Sequence, residues 1–328
     1  MVASPWSLSV LVEWDNVRLS EMARCRAMLR AVGRQLEVLC RTRGEEDGTL
    51  LGQMCCPAQL VIAYCEDEVD GGLVRQVVEA ELAPCRSSVS LDYLAARSAR
   101  YFTLKNLAAE RAGGDILVFI DSDVIPEDGW LRNLLLSFDT ADVAIVGGHT
   151  YIDATSLYEK AVALTWFFPR RLATGSLERY PQVFANNLAV RATLFRRFPF
   201  PDSTTGARGG SVALLHNLGQ ARIDVYRNGS AQVSHPAPNG LRHFLERAVA
   251  QGRDAEALAR NAGVTRPSWL RRTLRAWRDV VVERRKVRLS LAGVPVALLI
   301  GTAYYTLVAL GGVASRVSPR CMDRHFRL

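Results

Sequence analysis

Apolar residues fall along this chain in two rhythms. Short, almost unbroken apolar runs stand at Ser9–Glu13, Gln59–Cys65, Val89–Leu91, Ile116–Ile120 and Val143–Gly147. Runs this short, without strict polar alternation, predict strands buried on both faces. Between them apolar residues recur at helical spacing. Met22, Cys25, Leu29, Val32 and Leu36 mark a helix within Leu19–Leu39, and the pattern returns over Leu73–Leu82, Thr103–Ala112 and Trp130–Phe138. Gly113-Gly114 is a stop for the third of these. Strands alternating with helices predict βαβ units, hence an α/β fold with a mainly parallel central sheet flanked by helices.

The pattern loosens after Gly147. Phe184–Val190 (FANNLAV) sets two asparagines in an apolar frame, Pro199–Gly210 has loop composition, Val212–Leu218 is helical, and Ala231–Ser234 leads into His235. The last third changes character. Over Pro267–Arg288, Trp269, Leu270, Leu274, Trp277, Val280 and Val281 share a helical face with arginines opposite, the pattern of an amphipathic helix at a membrane interface. Leu289–Ser315 then runs 27 residues without a charge. A span needs about 20 apolar residues, so the length allows one kinked span or a re-entrant hairpin; a buried core helix is the soluble alternative. The expected organisation is a catalytic domain over 1–254, a basic amphipathic region over 255–288, a transmembrane or re-entrant segment over 289–315, and a basic tail over 316–328.

Charge sharpens this picture. The net charge of the 328 residues is +8, with 49% hydrophobic and 23% charged residues. Arg242–Arg288 holds 13 Lys/Arg against 5 Asp/Glu, so the excess is local. No RNP-like or zinc-finger pattern accompanies it, which argues against nucleic acid. A basic block beside an apolar run points to anionic lipid. The seven cysteines are odd in number and form no Cys-x-x-Cys pair, so reduced thiols in a cytosolic compartment are expected. The opening residues lack the basic start and long apolar core of a signal peptide. The expected location is membrane-associated with a cytoplasmic catalytic domain.

The candidate chemistry lies at the end of the fourth apolar run, where ILVFIDSDVIPED (Ile116–Asp128) breaks into Asp121 and Asp123. Ligands of open α/β sheets bind beyond the carboxyl ends of strands. Two carboxylates one residue apart suit a hard divalent cation, Mg²⁺ or Mn²⁺, and the phosphate it carries. No Gly-x-Gly-x-x-Gly follows the first strand and no Walker A lysine motif occurs, so neither a Rossmann dehydrogenase nor a P-loop NTPase is supported.

Taken together, Ser7 to Asp254 resembles family 2 glycosyltransferases of the GT-A fold. The segment KNLAAERAGGDILVFIDSDVIPEDGWL (Lys105–Leu131) matches the family's central block: a helix with Lys-Asn, an Ala-x-Gly-Asp turn, a strand with its Asp-x-Asp, then Pro and Trp-Leu. SVLVEWDN (Ser9–Asn16) resembles the opening strand, VIAYCEDEVD (Val61–Asp70) the second strand and its acidic end, FANNLAVRATLF (Phe184–Phe195) the acceptor-side segment, and SHPAPNG (Ser234–Gly240) the late histidine. The resemblance implies a nucleotide-diphosphate sugar donor, with Glu13, Asp15, Glu66 and Asp67 near base and ribose and Lys105 touching the donor. Asp123 would be the direct metal ligand, Asp121 would contact the ribose or reach the metal through water, and His235 would join the metal. Asn186 and Asn187 would meet sugar hydroxyls or pair with buried backbone. The acceptor would be a lipid carrier, glycolipid or glycan at the membrane surface.

One departure matters. Inverting members carry an acidic pair on the acceptor side, one carboxylate serving as general base. Thr204–Leu218 (TTGARGGSVALLHNL) contains no carboxylate. Asp202 is the nearest substitute, and Arg208 suggests anion binding instead. Two alternatives follow: a catalytically silent sugar-nucleotide-binding or scaffold protein, and a haloacid-dehalogenase-like phosphatase with Asp121 as nucleophile.

Overall fold

The first apolar run becomes β1 (Leu8–Glu13), every residue of which is buried, and the helical pattern after it becomes α1 (Met22–Thr42). The computed structural model describes residues 5–18, 20–45, 49–140, 142–173, 175–201, 209–262 and 268–318. The next elements are β2 (Ala58–Cys65), α2 (Gly71–Leu82), β3 (Val89–Ala96), α3 (Tyr101–Arg111), β4 (Ile116–Asp121), the short β5 (Ile125–Pro126), and α4 (Trp130–Leu136). Then come β6 (Ile145–Ile152), α5 (Leu157–Thr165), β7 (Leu177–Arg179), β8 (Asn187–Arg191), α6 (Ala192–Arg197), α7 (Gly210–Gln220) and β9 (Tyr226–His235). Three helices close the chain: α8 (Gly240–Ala262), α9 (Trp269–Glu283) and α10 (Val294–Val317).

The described strands form one sheet in the order β3-β2-β1-β4-β8-β6-β9-β5, with β7 paired to β9. β3, β2, β1 and β4 are mutually parallel, and β8 joins β4 antiparallel. Because strand side chains alternate between faces, the sheet feeds two cores. Val10, Val12, Leu60, Ile62, Val118 and Ile120 pack with α1, α2 and α4. Leu11, Val61, Ala63, Leu117 and Phe119 pack on the other face with α3 and α6. Nearly continuous apolar strands are what a sheet covered on both sides demands.

The sheet and its helices make one compact unit (Met1–Thr150, Leu172–Asp202, Leu214–Ser234); Tyr151–Arg171, Ser203–Ala213 and His235–Leu328 make a second. In the second, α5, α9 and α10 share a small core of Ala161, Leu164, Val280, Leu289 and Ala297. Ser156 caps α5 by accepting from the Glu159 N–H while the Glu159 carboxylate accepts from the Ser156 N–H at 2.7 Å, a reciprocal capping box. The stretch expected as a kinked span or hairpin is one continuous helix, because Pro295 falls in the first turn of α10, where no helical N–H bond is lost.

Cys40, near the end of α1, and Cys56, just before β2, form a disulfide with Cα atoms 5.9 Å apart. This corrects the expectation of reduced thiols throughout. The return from α1 to β2 brings the two side chains within bonding reach, a tertiary contact that cysteine spacing does not reveal. Cys25, Cys65 and Cys85 are buried free thiols and Cys55 is an exposed one.

Candidate functional site

β1 and β4 end side by side, with Glu13 in register with Asp121. Parallel neighbours in register point to the same face, so the two carboxylates sit together, and both are buried. Three donors converge on Asp121. The Tyr101 hydroxyl lies 2.9 Å from each carboxylate oxygen, Lys105 Nζ donates to Oδ1 at 2.7 Å, and Asn16 Nδ2 donates to Oδ2 at 3.0 Å. The same Asn16 amide donates to Glu13 Oε1 at 2.9 Å, and the Asp15 N–H donates to Glu13 Oε2 at 2.9 Å. Lys105 is only 1% exposed, so this ion pair lies out of water. α3 supplies both Tyr101 and Lys105, four residues apart and therefore on one helical face.

Asp123 stands just past β4 and is also buried. Its Oδ2 accepts from Ser20 Oγ at 2.8 Å. Its backbone carbonyl accepts from Arg24 Nε at 2.6 Å, while Arg24 Nη2 reaches the Ser234 carbonyl at 2.7 Å and its hydroxyl at 3.0 Å. Arg24 thus fastens the Asp-x-Asp turn to α1 and to β9. The cluster is strongly acidic. Burial first, then the neighbouring Asp121 carboxylate, holds the Glu13 carboxyl well above its ordinary range, and Lys105 pulls the other way. Buried thiol Cys25 is pushed up to about 12 by burial and then by Asp123.

The other expected residues fall in different places. Glu66 and Asp67 follow β2 and are exposed. Glu66 pairs with Arg97, and Asp67 accepts from the Ser98 N–H at 2.6 Å, so they brace the turn after β3. Asn186 accepts from Thr150 Oγ1 at 3.1 Å. Asn187 accepts from Trp130 Nε1 at 2.8 Å and donates to the Ala231 carbonyl at 3.2 Å, tying α4, β8 and β9. His235 begins the last segment of the second unit. Its Nδ1 lies 2.7 Å from the Pro236 carbonyl and its ring packs on Phe168 and Trp166. A carbonyl only accepts, so Nδ1 carries a proton. Asp202 and Arg208 lie outside the described residues.

Among the described residues, no group of three or more His, Cys, Asp or Glu side chains is arranged to hold an ion. The donor set at the strand end is nonetheless carboxylate oxygen, buried and beyond parallel strands. This fits a hard cation that keeps several waters, as Mg²⁺ and Mn²⁺ do. Sequence reasoning missed Asn16, Ser20, Arg24 and Tyr101. Asn16 stood in plain view, closing the strand-end motif Glu-Trp-Asp-Asn; the other three carry no local signal.

A mannosyltransferase from Pyrobaculum calidifontis, in complex with GDP-mannose and Mn²⁺, superposes with a TM-score of 0.55 at 13% identity, over 96% of this chain and 88% of that one. GalNAc-T7 with UDP, GalNAc and Mn²⁺ gives a TM-score of 0.51 at 11% identity, over 78% of this chain and 51% of that one. No curated protein matches the chain. The sheet order and flanking helices define a GT-A glycosyltransferase fold. Residues 97–201, which carry Tyr101, Lys105, Asp121 and Asp123, match the glycosyl transferase family 2 model. The chain thus carries a segment that matches glycosyl transferase family 2, set in a GT-A fold.

Proposed function

We propose that this enzyme transfers a sugar from a nucleotide-diphosphate donor, a UDP-sugar, to a lipid-linked or glycan acceptor at a membrane surface, with inversion and with Mg²⁺ or Mn²⁺. The observation that carries the donor side is the acidic cluster at the ends of β1 and β4. Asp123 would hold the ion, whose chemistry when bound is to stabilise the charge of the departing nucleotide diphosphate.

The remaining residues have distinct work. Both Asp121 oxygens already accept hydrogen bonds from Lys105, Tyr101 and Asn16, so Asp121 acts as the anchor of the strand end. Arg24 and Ser20 hold the Asp123 turn in place. Asp15 follows directly after β1 and suits a ribose hydroxyl as acceptor. The general base is assigned to no described residue.

Incubation with Mn²⁺ and a panel of nucleotide sugars, reading binding and nucleotide diphosphate release, tests this reading. Metal-dependent binding with release is expected, and Asp123→Ala should abolish metal-dependent binding while the fold is kept. Binding without release, with membrane extract supplied as acceptor, would favour a silent sugar-nucleotide binder. Phosphate release from simple monoesters without nucleotide binding would favour a phosphatase.

A further inference from the structure

α10 has two opposed faces. Ala297, Gly301, Tyr304, Val308, Gly311 and Ser315 form its buried stripe. Leu299, Leu310, Val313 and Val317 stand on the other side and are 55–80% exposed. Its 27-residue apolar stretch is long enough to cross a bilayer, and most of it is not buried inside the protein. A span and a surface-lying helix are told apart by what runs alongside it.

Charged helices run alongside α10. Against its second half lies α8, at backbone contact: a Cβ on Gly252 would fall 2.0 Å from the Val308 carbonyl, and one on Gly311 2.2 Å from that of Val249. α8 brings Arg253, Asp254 and Glu256, all buried, and Glu256 pairs with Arg316 at 2.9 Å. Against its first half lies α9, with Ala276 next to Gly301 and exposed arginines at 271, 275 and 278. Standing α10 upright in a membrane would carry the exposed arginines of α9 into hydrocarbon, which is costly for each charge. This packing favours a helix lying along the membrane over a span.

The exposed face is nonetheless finished as a lipid-facing surface. α9 adds Trp269, Leu270, Leu274, Trp277 and Val281, each 42–57% exposed. On α10, the hydroxyls of Thr302 and Thr306 donate to the carbonyls of Leu298 and Thr302, both at 2.8 Å. Each hydroxyl oxygen in turn accepts an indole N–H, from Trp277 at 2.9 Å and from Trp269 at 3.3 Å. The polar groups at this edge are satisfied without water, as an apolar medium requires. On the α9 wheel Arg271 and Arg278 border the apolar strip, where phosphate headgroups would lie.

We propose that α9 and α10 form an in-plane platform that inserts into one leaflet of an anionic lipid bilayer, with α10 parallel to the membrane. The proposal deepens the membrane part of the function proposed above and rests on it for the acceptor's location alone; donor binding is independent of it. The full chain should pellet with vesicles of phosphatidylcholine containing 30% phosphatidylglycerol. Pure phosphatidylcholine vesicles should bind it far more weakly, and Arg271→Ala with Arg278→Ala should weaken binding about fivefold per arginine. Leu274→Glu with Leu310→Glu, at exposed sites that leave the fold intact by circular dichroism, should abolish it.

Depth provides the decisive reading. A fluorescent non-natural residue at position 299 or 310 should be quenched equally by lipids spin-labelled at a given depth. An upright helix would separate the two by about 16 Å. Unequal depths of that size overturn the in-plane platform in favour of a span. Equal binding to neutral vesicles overturns the role of the arginines. Failure to bind vesicles, with a dimer in solution, shows that a second copy covers the face. Nucleotide-sugar binding measured on the same samples keeps a failed platform distinct from a failed donor site.

Discussion

Replacing Lys105 with methionine removes the cation of the strand-end cluster while keeping most of its volume. Lys105 is 1% exposed and its Nζ lies 2.7 Å from Asp121 Oδ1; Glu13 is in register next to Asp121. Removing one partner of a buried ion pair costs about 3–5 kcal/mol. Tyr101 and Asn16 still donate to Asp121, so the expected loss is at the lower end, about 3 kcal/mol. That corresponds to opening roughly 100-fold more frequent. Hydrogen exchange at β1 and β4 amides reads it in the first unit alone. Glu13 supplies a pH signature. Its raised carboxyl pKa contributes stability that is complete below the ordinary carboxyl value and lost as pH climbs through the raised one. Lys105 pulls that pKa down, so the Lys105→Met deficit should widen as pH rises through the raised carboxyl pKa. Adding Asp121→Asn removes both partners and should cost less than the sum of the single changes. A single-variant loss below about 1 kcal/mol, or strict additivity in the double variant, would refute a buried, coupled pair.

Other outcomes follow from particular contacts. Gly114→Ala should destabilise by about 3 kcal/mol, because its Cβ would meet the Ser9 backbone nitrogen at 2.5 Å; Gly113→Ala, with nothing within 4 Å, should be near neutral in the same thermal melt. Reducing the Cys40–Cys56 bond, whose partners are 16 residues apart, should lower stability by about 3 kcal/mol; mass spectrometry that finds both cysteines alkylated without reductant would refute the bond. The Asp115 carboxyl is held below its ordinary range by the Ser7 N–H and then the Ser7 hydroxyl, each 2.8 Å away. Asp115→Ala should therefore cost about 1 kcal/mol at neutral pH, discounted for its exposure. The difference should fade as pH falls through the lowered pKa, and a pH-independent difference would count against the assignment.

How far the sequence could be read depended on burial. β1, β2 and β4 announce themselves as apolar runs because both faces are covered. β3 extends to Ala96, five residues past the expected end, since most of its side chains are only half-buried and its pattern is mixed. α5 was missed although Ser156-x-x-Glu159 is a legible capping box. α8 was missed because its buried side includes Arg253, Asp254 and Glu256, so polarity disguises an inward face. At the site, Asp121 and Asp123 were legible from spacing and flanks. The partners of Asp121 were not, because Asn16 meets it across 105 positions and no periodicity reports such a contact.

The parallel pairing of β1 with both β2 and β4 also sets an order of events during synthesis. β1 can pair with β2 once Ala58–Cys65 has emerged, but its other edge has no partner until Ile116–Asp121 leaves the ribosome. For that interval an apolar strand edge is open, a template for pairing with other chains. A fragment ending before β4 is therefore expected to aggregate. Extending it through β8, which covers the next edge, should restore solubility. The acidic cluster is then a late product of folding, completed only when β4 docks beside a strand made well before it.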